Sequence, residues 1–260
     1  MNTFRFESEA KQKFSLLKPG GLYWLTGRLG VGVTALALNY ALRAIVERNL
    51  PVLYLAWQTR ANVLFERLVF IHSGFPVRSQ ASGTEAEAMR KAFFQLLGCS
   101  LELRSPHHSS ELDAFRTFIP FFDDALRRSQ PALVILDDLF LSSFVSRAGF
   151  PSADKVLERI REMARHANFC CLVLTPLRCE AHRPSASTTR RSRRLRKIFD
   201  GLLLLTKIEA RDNTVVNREL RCSSSGCEEF CIPIVHDVVT SRMEVARNER
   251  PPEHKIERKA

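Results

Sequence analysis

Residues 52–57, 132–136 and 169–174 are apolar at every position, and residues 22–26 nearly so. Between them lie segments whose apolar residues recur every three or four positions, as at Val63, Leu64, Leu68 and Ile71. The first kind predicts buried strands and the second amphipathic helices, at 34–48, 61–73, 83–97, 110–128 and 152–167, with Ser152 placed to cap the last. Pro120 is a possible break in the fourth helix, and 101–103 a short strand. Strands apolar at every position lose water from both sides, so they imply a parallel sheet covered by helices on both faces. After residue 200 the pattern changes. Segments 202–206, 214–221 and 230–235 read as strands with no long helix between them, which predicts antiparallel strands extending the sheet.

At 260 residues and 45% apolar composition the chain suits one large domain. No window approaches the run of about 18 apolar residues that a membrane span needs, and residues 1–17 lack the order of a signal peptide. A cytoplasmic protein is therefore expected, with residues 1–15 as an extension, 16–238 as the domain and 239–260 as a charged, disordered tail. Seven scattered cysteines favour reduced thiols. Cys222, Cys227 and Cys231 lack the two close pairs of a zinc ribbon, so three cysteines near a β-turn are expected and zinc is not.

The net charge is +11, which favours a polyanionic partner, nucleic acid first. Seven cations fall between residues 183 and 197 with no acid among them: Arg183, Arg190, Arg191, Arg193, Arg194, Arg196 and Lys197. With the neighbouring serines and threonines they suit phosphate contacts; without an interleaved aromatic they give no sign of base stacking. A solvated arginine-rich loop, or a patch for an acidic protein, explains the same residues.

The most specific motif follows the first strand. Gly27-Arg28-Leu29-Gly30-Val31-Gly32-Val33-Thr34 has the glycines and hydroxyl of a Walker A phosphate loop, in which backbone N–H groups surround phosphates at a helix start. Val33 stands where the motif has its phosphate-neutralising lysine. Taken alone, the segment also suits a glycine-rich turn of any doubly wound protein. Its surroundings, Leu17-Lys18-Pro19-Gly20-Gly21-Leu22 before the loop and Ala35-Leu36-Ala37-Leu38-Asn39 after it, resemble the carboxyl-terminal ATPase domain of the DnaB-type replicative hexameric helicases, members of the RecA-like superfamily.

That resemblance implies a RecA-like P-loop NTPase fold, and it gives other residues expected roles. Gln58, in Ala56-Trp57-Gln58-Thr59, stands where the family has the glutamate that activates water. Asp137, ending Leu133-Val134-Ile135-Leu136-Asp137, resembles the Walker B aspartate, which with Thr34 would hold magnesium; taken alone, an acidic residue at a strand end also explains it. Pro176 replaces a sensor glutamine. Glu219-Leu220-Arg221 resembles the segment whose arginine reaches a neighbouring subunit's nucleotide. Arg28 is common in the family beside its lysine, so it reads as inherited. The nucleotide-contacting set expected from the resemblance is Gly27, Arg28, Gly30, Gly32, Val33, Thr34, Asp137 and Arg221, and the basic segment matches a loop that tracks single-stranded DNA.

Glutamine can orient a water but cannot take its proton. The expectation is thus a domain that binds nucleic acid, holds ATP and magnesium weakly, and hydrolyses little. An active ATPase with a non-standard loop is one alternative, and a non-enzymatic subunit docking on a RecA-like partner is another; the partner expected besides nucleic acid is a second copy of the chain or a RecA-like protein.

Overall fold

The computed structural model describes residues 17–75, 83–105, 111–137, 153–177, 197–210, 215–224 and 230–246. In chain order they form β1 (Leu22–Arg28), α1 (Val33–Glu47), β2 (Val52–Ala56), α2 (Ala61–Ser73), α3 (Thr84–Leu97), β3 (Leu101–Arg104), α4 (Glu111–Ser129), β4 (Leu133–Asp137), α5 (Ala153–Ala167), β5 (Cys170–Leu177), β6 (Gly201–Ala210), β7 (Val215–Ser224), β8 (Phe230–Asp237) and β9 (Arg242–Val245). The described strands make one sheet ordered β3-β2-β4-β5-β1-β6-β7-β8-β9. It is parallel from β3 to β6 and antiparallel from β6 to β9.

The parallel half is buried on both sides, as its sequence requires. Tyr23, Leu25, Tyr54, Ile135 and Leu172 pack with α1, α2 and α3 on one face. Trp24, Leu53, Leu55, Val134 and Val173 pack with α4 and α5 on the other. Among the described residues the antiparallel half is covered on the α1 face alone. Val216, Leu220 and Cys222 of β7 and Ile232 and Ile234 of β8 are buried there, while Arg221, Cys231 and Pro233 are exposed. This alternation is the mark of a sheet wet on one side.

Three segments differ from the sequence expectation. Helix α4 runs unbroken through Pro120, which sits at an exposed position. Strand β5 continues through Thr175-Pro176-Leu177 alongside β1, with Thr26 Oγ1 donating to the Thr175 carbonyl at 2.7 Å. Residues 242–245, read as tail, form the edge strand β9. Arg242 holds that strand to the end of α2 by donating from Nε to Ile71 O (2.7 Å) and from Nη2 to His72 O (2.9 Å). No described helix is long and apolar enough to cross a membrane. Ser152, residues 1–15 and the tail beyond residue 246 lie outside the described residues.

Candidate functional site

At the carboxyl edge of the sheet, β1 turns into α1 through residues 29–32. Gly27 is required by close approach: a Cβ there would lie 2.5 Å from Val31 Cγ1 and 2.7 Å from the Leu205 carbonyl oxygen of β6. The Val31 N–H closes the turn on Arg28 O at 3.0 Å. Gly32 then starts α1 with φ +96°, and its carbonyl accepts the first helical hydrogen bond from Leu36 N at 2.9 Å. The left-handed conformation at Gly30 and Gly32 and a helix starting directly after them are the backbone requirements of a phosphate cradle. Val33, at the lysine position, is half-buried, with Cγ2 near the base of the loop at Gly27. Arg28 and Leu29 are exposed.

Thr34 and Asp137 are brought together as the motif predicts. Thr34 Oγ1 lies 3.4 Å from Asp137 Oδ1, to which it donates, and Asp137 is buried. Its other oxygen accepts a 2.7 Å bond from the Tyr54 hydroxyl of β2. Burial, then the charge of Asp137 and that hydrogen bond, push the Tyr54 phenol well above the ordinary tyrosine range, so it remains a donor. The hydroxyl and carboxylate of Thr34 and Asp137 are oxygen ligands of the kind magnesium takes. The pairing of Ala56 with Asp137 sets the end of β2 beside that carboxylate, and Trp57 N donates to Asp137 O at 3.3 Å. Gln58 follows, exposed, at the same edge. Pro176 pairs in register with Gly27, so it flanks the loop.

Arg221 is not brought to the loop. It lies on the exposed face of β7, with Nε donating to Glu219 Oε1 at 2.6 Å. On the buried face of β7 a different arginine, Arg218, donates from Nε to His236 Nδ1 at 2.9 Å. Both residues are 5% exposed, and the His236 ring lies under Gly32, with Cε1 3.3 Å from where a Cβ would be. Burial, with Arg218 adding to it, pulls the His236 pKa down to about 4 against a weaker upward pull from Asp237. The sequence held a signal for this pair, since Arg218 interrupts the apolar phase Val216, Leu220, Cys222 of an alternating strand. Of the basic segment only Lys197 is described, exposed just before β6; Arg183, Arg190, Arg191, Arg193, Arg194 and Arg196 lie outside the described residues.

The sequence matches no known protein family and no curated protein. Solved structures do resemble it. A DnaB-like replicative helicase, described with its interactions with primase, superposes with a TM-score of 0.69 at 14% identity over 89% of this chain; the match spans 60% of the helicase. A second solved structure, an ATPase domain by itself, gives 0.68 at 14% identity, over 91% of this chain and 89% of that one. A KaiC-like protein, PH0186 from Pyrococcus horikoshii OT3, gives 0.58 at 14% identity, over 90% and 95%. The chain has the RecA-like fold that these DnaB-like and KaiC-like proteins share.

Proposed function

We propose that this chain is a DnaB-type RecA-like domain that binds single-stranded nucleic acid, holds nucleotide weakly and hydrolyses little of it. One observation carries the reading of the nucleotide site. The loop keeps the backbone form of a cradle and the Thr34–Asp137 pair, yet the two side chains that would do charge and proton work are Val33 and Gln58. A bound nucleotide would set its phosphates against the N–H groups at the start of α1, with Thr34 and Asp137 holding its magnesium. That ion would neutralise phosphate charge. Gln58 orients a water without deprotonating it, so capture outlives turnover.

The nucleic-acid reading rests on the charge of residues 183–197. The chain leaves β5 at the edge that carries the loop and re-enters the described structure at Lys197, ahead of β6 at the opposite edge. Cations there would act on the phosphate backbone, which carries affinity without sequence choice. Titration of a labelled single-stranded oligonucleotide at several salt concentrations tests this. Replacing Arg190, Arg191, Arg193 and Arg194 by serine should flatten the slope of log affinity against log salt by roughly 3, at about 0.7 per lost phosphate contact. An unchanged slope, or salt-insensitive binding by the wild type, would contradict it.

A docking role has its own support. Leu29 is 85% exposed in the loop, Ile208 55% near the end of β6, and Val238 and Val239 43% and 41% just past β8. Strands β1 and β6 run parallel, and β8, two strands on from β6, runs the same way, so the four apolar side chains share the carboxyl edge. That edge suits contact with a second copy or another RecA-like subunit.

A further inference from the structure

We infer that Arg218, carried on β7, takes over the electrostatic part of the absent loop lysine and makes the loop a site for phosphate anhydrides. This rests on the nucleotide-site reading above and adds the residue and ligand chemistry to it.

Strand register places Arg218. Gly27 pairs with Leu205, and Leu205 with Leu220, at the level where β1 leaves the sheet. Arg218 pairs with Lys207 two residues further on, past that level and on the face covered by α1. It therefore sits against the flank of the loop, linked by one hydrogen bond to the histidine under Gly32.

The pair is chemically incomplete. Arg218 has no carboxylate within ion-pair distance among the described residues, and its Nη1 is buried without a hydrogen-bond partner. His236 accepts at Nδ1, so the neutral ring carries its proton on Nε2, which is likewise buried and unpartnered. A guanidinium does not shed its charge at any ordinary pH. A buried charge without a counter-ion is costly, and a neutral histidine supplies none. The start of α1, with its own partial positive charge, lies on the same flank. An anion seated on the N–H groups of the loop would supply the missing negative charge. Arg218 would act on it across the His236 ring and the Gly32 backbone that lies over it, and the N–H groups would make the contacts.

The test is calorimetric titration of inorganic pyrophosphate, and in parallel ATP, into the full chain with EDTA present. Wild type, Arg218→Met, Arg218→Lys and Arg28→Ala are compared, with melting temperatures recorded without and with pyrophosphate. Arg218→Met should weaken pyrophosphate and ATP binding at least tenfold, and pyrophosphate should no longer raise its melting temperature. Arg218→Lys should stay within about threefold of wild type, and Arg28→Ala should lose less affinity than Arg218→Met. Without ligand, Arg218→Met should melt no lower than wild type, because an apolar side chain of similar length removes an unpaired buried charge. Arg218→Gln is the second neutral variant should methionine disturb folding. Tighter binding of ATP than of pyrophosphate identifies a nucleotide as the source of the phosphates; equal binding identifies the anhydride alone. If Arg218→Met binds both anions as wild type does, or if Arg28→Ala alone abolishes binding, the assignment of Arg218 is overturned and the nucleotide site stands. If wild type binds neither, the site and the assignment fall together, and oligonucleotide binding by the same samples reports separately on residues 183–197.

Discussion

Gly32→Ala is expected to lower unfolding free energy by about 3 kcal/mol in a denaturant titration, against about 1 kcal/mol for Gly30→Ala. The two glycines share the left-handed backbone, at φ +96° and +78°, so alanine meets the same kind of conformational strain at each. Their surroundings differ. Around Gly30 no described residue lies within 4 Å of an added Cβ, whereas at Gly32 it would meet Met243 Cε at 2.7 Å and His236 Cε1 at 3.3 Å. The difference between the variants therefore isolates how tightly the start of α1 is seated on β8 and β9. Gly27→Ala adds a third point, about 2 kcal/mol, from collision with the Leu205 carbonyl, which cannot swing away as a side chain can. Equal effects at Gly30 and Gly32 would mean that the loop does not rest on His236 and Met243.

Acid should weaken the fold through His236 before most carboxylates titrate. Its pKa is about 4 in the folded chain and near 6.5 for an ordinary histidine, so between these values the unfolded chain binds the extra proton. Stability from this residue is complete above pH 6.5 and is lost as pH falls towards 4. The expected loss is about 2 kcal/mol by pH 5 and about 3 kcal/mol once both states are protonated. The cause is burial beneath α1 first and the neighbouring Arg218 second, with Asp237 opposing them. Stability measured from pH 7.5 to 5 should fall in the wild type and stay nearly level in His236→Gln. Parallel slopes in the two proteins would contradict this placement of His236.

The parallel half of the sheet was legible because strands buried on both faces have no polar phase: residues 52–57, 132–136 and 169–174 announce themselves. The helix at Ala61–Ser73 was legible from its spacing, and the loop from its glycines. Strand β9 was not, because Arg242-Met243-Glu244-Val245 is short, lies at an edge and alternates charge with apolar residues amid a charged stretch. Thr175 and Pro176 read as the start of a loop, since proline at a strand end resembles a break until its partner Gly27 is placed. The site divides the same way. Thr34 and Asp137 could be named from motifs, being fixed by what precedes and follows their strands. Tyr54 and the Arg218–His236 pair could not: Arg218 shows in the sequence only as a break in the apolar phase of β7, and the roles depend on tertiary placement, β2 against β4 and α1 across β8. Motif spacing carries no record of either. Arg221 was the more visible arginine in sequence, yet burial alternates along β7 and turns Arg218 towards the loop.

A loop with the form of a phosphate cradle but without its lysine and its catalytic carboxylate should bind ATP weakly and hydrolyse little of it, and ATP binding and phosphate release by wild type and Val33→Lys, with magnesium, test this most directly. The lysine is expected to tighten ATP binding at least tenfold, because its ammonium would touch the phosphates directly where Arg218 acts only from beneath the loop, while phosphate release stays at background in both proteins because Gln58 accepts no proton. Magnesium-dependent hydrolysis by the wild type that Asp137→Asn abolishes would contradict the account.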